Sequence, residues 1–433
     1  MPRLHRAGPS ASLDAERVVA RFLPASIRNE VTLREQVERE ARAAHDALPA
    51  LTDDAAAGAL RRAAELVDVR RAAILAANAA DAEDASGRLD EGTLDRLRLD
   101  DRRVDGLAAQ LAETAEVEPL QRETAAWTLP NGLRVSERRI PIGTVGANFE
   151  ARPGVALDVA GQLLKSLNTA LLRTGGAALR TVTMLVDEVL RPALAAAGLP
   201  EGAVGLVRSA DHEGARLLVS MPRLVPLVVL RGSGETTAAL AKLAAKNGVR
   251  TLAHAEGGGV LYVHADASPE RVLAIVEASL DRLGVCNRLN LCLVDRRAEA
   301  LVPDLLELFA SRGIRVRDEV GPEWANDEDP SQVTVCYLGS VEEALRIANE
   351  ETSGLAAGIV TEDPVATQAF LDGYRGTAGF WNATTRFTDG FALTGAPETG
   401  INVDTTPGPR GPVTYRDLWL RQYRVVGDGT QAR

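Results

Sequence analysis

Cysteine is scarce in this chain, and its scarcity excludes several classes of protein. The three cysteines, Cys286, Cys292 and Cys336, are too few and too irregularly spaced for a disulfide framework. There is no Cys-x-x-Cys pair and no histidine spacing typical of zinc, so we expect no metal site. Any cysteine with a function therefore acts as a free thiol.

Long apolar runs and an excess of basic charge are also missing. No stretch approaches the ~18 apolar residues of a membrane helix, and the first residues lack the apolar run of a signal peptide. The formal net charge is −11, with acidic and basic side chains interspersed, which argues against nucleic acid or a membrane as partner. We expect a cytoplasmic protein. Its 433 residues are enough for two domains.

The chain divides into segments of different pattern. Residues 1–30 are predicted to form an N-terminal extension, and about 33–117 carry apolar and charged side chains at helical spacing. Residues 126–140 alternate around the turn Pro-Asn-Gly, which predicts a hairpin. Two series of strands alternating with helices follow, about 142–253 and 258–381. This order predicts two α/β domains with parallel sheets, a cleft between them, and a β-like tail that pairs with the hairpin.

Cys286 is the candidate nucleophile. It lies between a predicted helix that ends at Arg282 and a strand that starts near Leu289, so its thiol projects from a loop. An inert, buried thiol is the alternative, because cysteine is among the most buried residue types. Cys292 and Cys336 lie in apolar strand patterns, where burial disfavours the thiolate, and we interpret both as core residues.

A glycine turn is the candidate for phosphate binding. Gly232, Ser233 and Gly234 follow an apolar strand and precede a helix, which brings backbone N–H groups and a helix N-terminus to one place. The spacing is not Gly-x-Gly-x-x-Gly, so a plain strand-to-helix connection remains the alternative. Arg173 ends another strand and is either a contact to a cofactor phosphate or a solvated arginine.

Several stretches together resemble one family. In chain order they are ILAANAAD, LDRLRL, WTLPNGLRV, ERRIPIGTVGANFEARPGV, LKSLNTALLRTGG, GVCN, EEALRIANEETSG, IVTEDP, NATTRFTDGF, ETGI and RGPV. From about residue 33 to the C-terminus they resemble the gamma-glutamyl phosphate reductases of the aldehyde dehydrogenase superfamily. The resemblance implies a cofactor domain built from 31–120 and 141–250, a catalytic domain at 251–385, and a small β oligomerisation element at 121–140 and 410–433.

The resemblance also implies a mechanism and a set of site residues. The Cys286 thiolate attacks gamma-glutamyl phosphate and forms a thioester, which NADPH reduces to glutamate 5-semialdehyde in proline biosynthesis. The backbone N–H of Cys286 is a candidate donor to the oxyanion. The implied cofactor-binding residues are Arg173, Gly232, Ser233, and Asp327 or Glu328. The implied substrate-binding residues are Arg152, Asn287, Thr385 and Arg386.

The base that activates water in oxidising aldehyde dehydrogenases is not matched in this chain. Its position falls on Ala253 or His254, in the segment TLAHAEGGG. Lacking that base fits a reductase, because the thioester then survives until hydride transfer. Glu256 lies close by and would supply a base if the alignment shifts.

The chain departs from the family pattern where polar groups are expected. The departures are Gly154, Leu167, Val260, Leu355 and Ala356. They leave open a paralogue that reduces a different acyl phosphate or thioester, or oxidises an aldehyde. A catalytically silent scaffold for a kinase or carrier protein is a third hypothesis, which the GVCN motif argues against. We expect a small acyl phosphate as substrate, a glutamate 5-kinase-like partner, and a homodimer or larger homo-oligomer.

Overall fold

The computed structural model describes residues 25–232, 234–254, 257–282, 285–317, 331–404 and 409–431, with backbone alone for 25–31 and His254. Within these ranges no helix has the length and apolar character needed to cross a bilayer. The helices are α1 (Ala25–Ala47), α2 (Asp53–Val69), α3 (Arg71–Ala85), α4 (Glu91–Leu97), α5 (Asp101–Glu116), α6 (Val155–Lys165), α7 (Leu179–Leu185), α8 (Arg191–Ala196), α9 (His212–Leu218), α10 (Gly234–Asn247), α11 (Pro269–Ala278), α12 (Val302–Ser311), α13 (Val341–Glu350), α14 (Pro364–Gly373) and α15 (Gly390–Thr394).

The strands form four sheets among these residues. They are β1 (Glu123–Thr128), β2 (Arg134–Pro141), β3 (Thr144–Phe149), β4 (Thr169–Thr174), β5 (Val204–Leu206), β6 (Leu227–Arg231), β7 (Arg250–His254), β8 (Gly259–Val263), β9 (Leu289–Asp295), β10 (Arg315–Arg317), β11 (Gln332–Leu338), β12 (Ala356–Val360), β13 (Ala378–Trp381), β14 (Gly400–Asn402), β15 (Gly411–Val413) and β16 (Trp419–Val426).

The helical N-terminal segment folds because its helices are capped and amphipathic. The Thr52 hydroxyl accepts a hydrogen bond from the backbone N–H of Ala55 at the start of α2, and the Asp100 carboxylate accepts one from Arg103 at the start of α5. Such caps contribute about 1 kcal/mol each. The apolar faces of α2, α3, α5 and α6 then bury one continuous core against the first parallel sheet.

The first parallel sheet has the strand order β5-β4-β3-β6-β7. Its strands are short apolar runs that are almost wholly buried, as expected for a sheet covered by helices on both faces. The other face packs on α1, α9 and α10. Since all five strands run the same way, the loops after β3 and β6 emerge side by side at one edge.

The second parallel sheet has the order β10-β11-β9-β8-β12-β13. Helices α11 and α12 cover one face, and α13 and α14 cover the other. The pairing of β8 with β9 shifts register between Gly259 and Val260. This irregularity lies directly beside the loop that carries Cys286, where bulges commonly redirect side chains.

A three-stranded antiparallel sheet, β1-β2-β16, joins the predicted hairpin to the tail. The pairing of β16 with β2 over its full length confirms the prediction that the tail pairs with the hairpin. Together with the two parallel sheets it confirms the predicted α/β fold class with a small additional β element. The functional division of the chain into cofactor, catalytic and oligomerisation domains stays a prediction.

Candidate active site

The Cys286 loop is held against a glycine turn. The backbone N–H of Gly258 donates to the Cys286 carbonyl at 2.7 Å, and that of Gly259 donates to the Arg288 carbonyl at 2.6 Å. A Cβ on Gly257 would lie 2.7 Å from the Cα and carbonyl oxygen of Cys286, and Gly258 has a φ of 131°. Only glycine fits such an approach and such a backbone angle, so this turn fixes the position of Cys286.

A second clamp comes from the 3₁₀ turn Thr385–Phe387. The Thr385 hydroxyl donates to the Asn287 carbonyl at 2.9 Å. The Asn287 amide donates to the Arg386 carbonyl at 3.0 Å and to the Thr388 carbonyl at 2.9 Å. The Arg386 guanidinium donates to the Asn287 side-chain oxygen and, at 2.6 Å, to Asp281. Three predicted substrate-binding residues therefore bind one another around Cys286, and their contact with substrate stays a prediction.

The Cys286 side chain itself packs on an apolar wall. Leu355, Ala356, Phe380 and Ile401 form a buried cluster, and the half-buried Cys286 lies against it. Two of the departures from the family pattern, Leu355 and Ala356, thus line the thiol. Among the described residues this wall consists of apolar side chains.

Arg152 supplies positive charge from the opposite lobe. It follows β3 and precedes α6. Burial first, and then the charge of Arg231, lower the pKa of Arg152 to about 10, while the Cys286 thiol acts in the opposite direction. Arg152 is therefore within electrostatic reach of Cys286. Among the described residues its guanidinium has no hydrogen-bond acceptor, so it retains donors for an anion.

The other two cysteines are not suited to nucleophilic chemistry. Burial in β9 raises the pKa of Cys292 to about 12. Burial also raises the pKa of Cys336, which is half-buried in β11 rather than fully enclosed. A high pKa keeps a thiol protonated at neutral pH, which leaves Cys286 as the candidate.

The predicted cofactor residues differ in how accessible they are to a ligand. Gly232 lies in the turn between β6 and α10, at the edge of the first sheet where Arg152 emerges. Arg173 is only 2% exposed. It donates to the Asn148 side chain at 3.0 Å and to the Asp211 carbonyl at 2.9 Å. It therefore holds the loop after β5, and its contact with a cofactor stays a prediction.

Some of the predicted residues lie outside the described part of the chain. These are Ser233, Asp327, Glu328 and Glu256. Ala253 is buried in β7 within the first sheet's core, and a methyl group there has no capacity to activate water. No group of three metal-ligating side chains occurs in the residues that the structure describes.

Sequence reasoning missed a charged cluster formed by Asp158, Arg231 and Glu398. The Arg231 guanidinium lies 3.8 Å from the Glu398 carboxylate and donates to the Thr399 carbonyl at 3.2 Å. Asp158 lies in the first turn of α6, close to Arg231 and Glu398, and burial raises its pKa to about 7. The three residues come from separate segments, so no spacing in the sequence links them. Only the folded chain brings them beside Arg152.

Comparison with known proteins identifies the family of this chain. The aldehyde dehydrogenase family model matches residues 30–323. The gamma-glutamyl phosphate reductase of Rhodospirillum rubrum is 32% identical over 410 residues, covering 91% of this chain and 95% of that protein. The solved Thermotoga maritima gamma-glutamyl phosphate reductase has a TM-score of 0.84 at 26% identity, covering 92% of this chain and 100% of that one.

A more distant neighbour shares the fold alone. It is an engineered glycolyl-CoA reductase solved with bound NADP+, with a TM-score of 0.66 and 15% identity, covering 90% of this chain and 96% of that one. Aldehyde dehydrogenases use a nicotinamide cofactor, and the relatives act on acyl or aldehyde groups. The chain belongs to the aldehyde dehydrogenase family, on its gamma-glutamyl phosphate reductase branch, and is an oxidoreductase that acts on aldehyde or acyl groups.

Proposed function

We propose that the chain reduces gamma-glutamyl phosphate with NADPH to glutamate 5-semialdehyde and phosphate, a step of proline biosynthesis, through a thioester on Cys286. The observation that carries the proposal is Cys286 on a doubly clamped loop within electrostatic reach of Arg152. The names of the relatives support the choice of substrate.

In the first step the Cys286 sulfur attacks the acyl carbon, the carbon–oxygen bond to phosphate breaks, and a thioester forms. This divides one difficult substitution into two easier ones. The attack needs a fixed nucleophile, which the Gly257 turn and the Thr385 clamp provide. Phosphate leaves as an anion, and the unpaired guanidinium of Arg152 stabilises that negative charge.

The residues beside β6 fit a nicotinamide cofactor. Helix α10 begins at Gly234, directly after the edge where β6 ends, and a helix N-terminus at such an edge binds phosphate groups. Gly232 is exposed, and a Cβ there would make only ordinary van der Waals contact, at 3.5 Å, with the Glu150 carboxyl carbon and the Thr237 hydroxyl, so the backbone at Gly232 is accessible to a ligand. Bound NADPH supplies the hydride that reduces the thioester carbonyl.

Protection of the thioester from water favours reduction over oxidation. The position where an oxidising relative needs a base falls on Ala253 or His254, and Ala253 is buried among apolar side chains. The apolar wall of Leu355, Ala356 and Phe380 beside Cys286 also disfavours an ordered water. Both features lengthen the lifetime of the thioester.

The test is the reverse reaction. Purified protein is mixed with pyrroline-5-carboxylate, which is in equilibrium with glutamate 5-semialdehyde, together with phosphate and NADP+, and NADPH absorbance is followed. We expect activity that depends on phosphate, is lost in Cys286→Ala and is retained in the matched control Cys336→Ala. Equal activity in Cys286→Ala would refute the thioester.

The same assay separates the second enzyme hypothesis. If the wild-type chain is inactive with pyrroline-5-carboxylate but oxidises another aldehyde in a reaction that requires Cys286, the acyl group differs from the proposed one. The apolar wall that includes Leu355 and Ala356 is the reason to test for a different acyl group.

A further inference from the structure

The Asp158–Arg231–Glu398 cluster lies at the same sheet edge as Arg152. Strands β3 and β6 are paired in parallel, with Asn148 beside Leu230, so Arg152 and Arg231 both leave the sheet at its carboxyl edge. Helix α6 starts three residues after Arg152 and carries Asp158 in its first turn. Glu398 precedes Ile401 by three residues in the chain, and Ile401 belongs to the wall against which Cys286 packs. The cluster therefore borders the space between Arg152 and Cys286.

The members of the cluster differ in how far their charges are satisfied. Glu398 is fixed by the backbone N–H of Gly390, which donates to it at 2.8 Å. Arg231 donates to the Thr399 carbonyl, and its 3.8 Å separation from Glu398 is longer than a hydrogen bond. The Asp158 carboxylate has neither a hydrogen bond nor an ion pair with any residue in the described part of the chain. The cluster thus holds one carboxylate with no partner and one guanidinium with spare donors.

A half-buried carboxylate without a donor is costly for a protein to keep. Removing an anion from water without supplying a hydrogen bond destabilises the fold, and burial accordingly raises the pKa of Asp158. Asparagine at this position would avoid the cost. An ammonium group from a ligand would instead supply the missing donors, because a charge-assisted hydrogen bond is the strongest partner for a carboxylate.

We propose that Asp158 and Arg231 bind the two charged groups of an α-amino-acid end of the substrate, Asp158 accepting from its ammonium group and Arg231 donating to its carboxylate. Glu398 holds Arg231 in place. The proposal rests on the proposed function, in which the other end of the substrate meets Cys286. It assigns selectivity for the class of ω-activated α-amino acids to this cluster. The apolar wall then contacts only the methylene chain and the reacting carbon.

Substrate selectivity is the first test. Wild-type protein and Asp158→Asn are assayed in the oxidative direction with pyrroline-5-carboxylate and with pentanal, which lacks both charged groups. We expect the variant to raise the KM for pyrroline-5-carboxylate by about tenfold or more, the change that follows from losing roughly 1.4 kcal/mol of binding. Activity on pentanal stays within a factor of about two, because Cys286 and Arg152 are untouched. An equal loss on both substrates would overturn the proposal.

Asp304→Asn is the matched control. Asp304 also lies in the first turn of its helix, α12, which packs on the second sheet, and it is exposed. We expect it to leave both KM values unchanged. A KM shift in Asp304→Asn as large as that in Asp158→Asn would also overturn the assignment.

Binding measured without turnover separates this proposal from the proposed function. Calorimetry is performed with L-aspartate, L-glutamate, L-2-aminoadipate and, for comparison, glutarate, which lacks the ammonium group. We expect at least one amino acid to bind, glutarate to bind at least tenfold more weakly, and Asp158→Asn to remove the difference. If an amino acid binds in this way while pyrroline-5-carboxylate is inactive, only the acyl chain was misassigned. No preference for an amino acid over glutarate refutes the role of Asp158.

Discussion

Replacing Asp158 by asparagine should stabilise the ligand-free protein at neutral and alkaline pH. Burial raises the pKa of this carboxyl to about 7, whereas its usual value is 3.8. The difference is about three pKa units, or at most about 4 kcal/mol at 1.36 kcal/mol per unit. Because the side chain retains some contact with solvent, which screens its charge, we expect a gain of about 1–3 kcal/mol in unfolding free energy.

The gain should depend on pH in a defined direction. Between about pH 4 and pH 7 the folded state keeps the Asp158 proton while the unfolded chain has lost it, so this group makes the wild-type protein less stable as the pH rises. Below this window both states are protonated and the penalty is absent. Above pH 7 both are ionised and the full penalty remains. Asparagine does not titrate, so the stability difference between variant and wild type grows through the window and is constant above it.

Urea unfolding followed by tryptophan fluorescence at several values between pH 5.5 and pH 8.5 measures this difference. Asp304→Asn serves as the control, because its carboxyl is exposed, and we expect no pH-dependent gain from it. A constant difference across the range, or an Asp158→Asn protein less stable than wild type at pH 8, would show that Asp158 is satisfied within the fold.

Three further predictions concern the loop and the antiparallel sheet. Gly257→Ala should abolish turnover while far-ultraviolet circular dichroism stays unchanged, because a Cβ would lie 2.7 Å from the Cys286 backbone; wild-type kcat in this variant would contradict the loop geometry. Thr385→Val should lower the unfolding free energy by about 1–2 kcal/mol and slow turnover, since the hydroxyl donates to the Asn287 carbonyl; unchanged kinetics would show that the clamp is dispensable. Val425→Glu should yield a smaller species in analytical ultracentrifugation, because Val425 is 54% exposed on the predicted oligomerisation sheet; an unaltered sedimentation coefficient would place the contact elsewhere.

The sequence predicted both series of strands and helices but not three of the short strands. LNLCLV and AAGIV, for example, lie in the second predicted series and form buried strands of a parallel sheet. The strands β10, β14 and β15 have three residues each. A run of that length shows no periodicity, and only its pairing partner defines it as a strand. These strands are therefore evident in the structure but cannot be predicted from the periodicity of the sequence.

The site was predictable where it depends on one loop and not where it depends on distant segments. Cys286 was found from its position between a helix and a strand together with the GVCN motif. Asn287 and Arg386 were assigned to substrate from the resemblance to the family. A resemblance in sequence does not tell whether an amide or guanidinium binds a ligand or a carbonyl of another segment, and here the two residues bind each other. The neighbours of Asp158 are more than 70 residues away in sequence, so its role followed only from the fold.

The departures from the family pattern divide according to what their side chains touch. A Cβ on Gly154 would lie 2.7 Å from the Leu107 side chain, so the loss of a polar residue there is matched by packing against α5. Leu167 has a φ of 62°, a backbone region that favours glycine, and packs on the first core. Val260 is buried between the second sheet and its helices. Local packing explains the changes at Gly154 and Val260, whereas Leu167 packs on the core with a backbone angle that disfavours a side chain.

Leu355 and Ala356 are different, because they form part of the wall against which Cys286 lies. A polar group at either position would be available to the acyl phosphate. In the proposed reaction the apolar wall leaves the recognition of the leaving phosphate to Arg152. The wall and the charged cluster then make separate demands on a substrate: an apolar chain next to the sulfur and a charged end next to Asp158. Varying the chain length of an α-amino semialdehyde series tests the first demand and removing its amino group tests the second. If the KM of the protein depends on neither change, the substrate binds somewhere other than between these two surfaces.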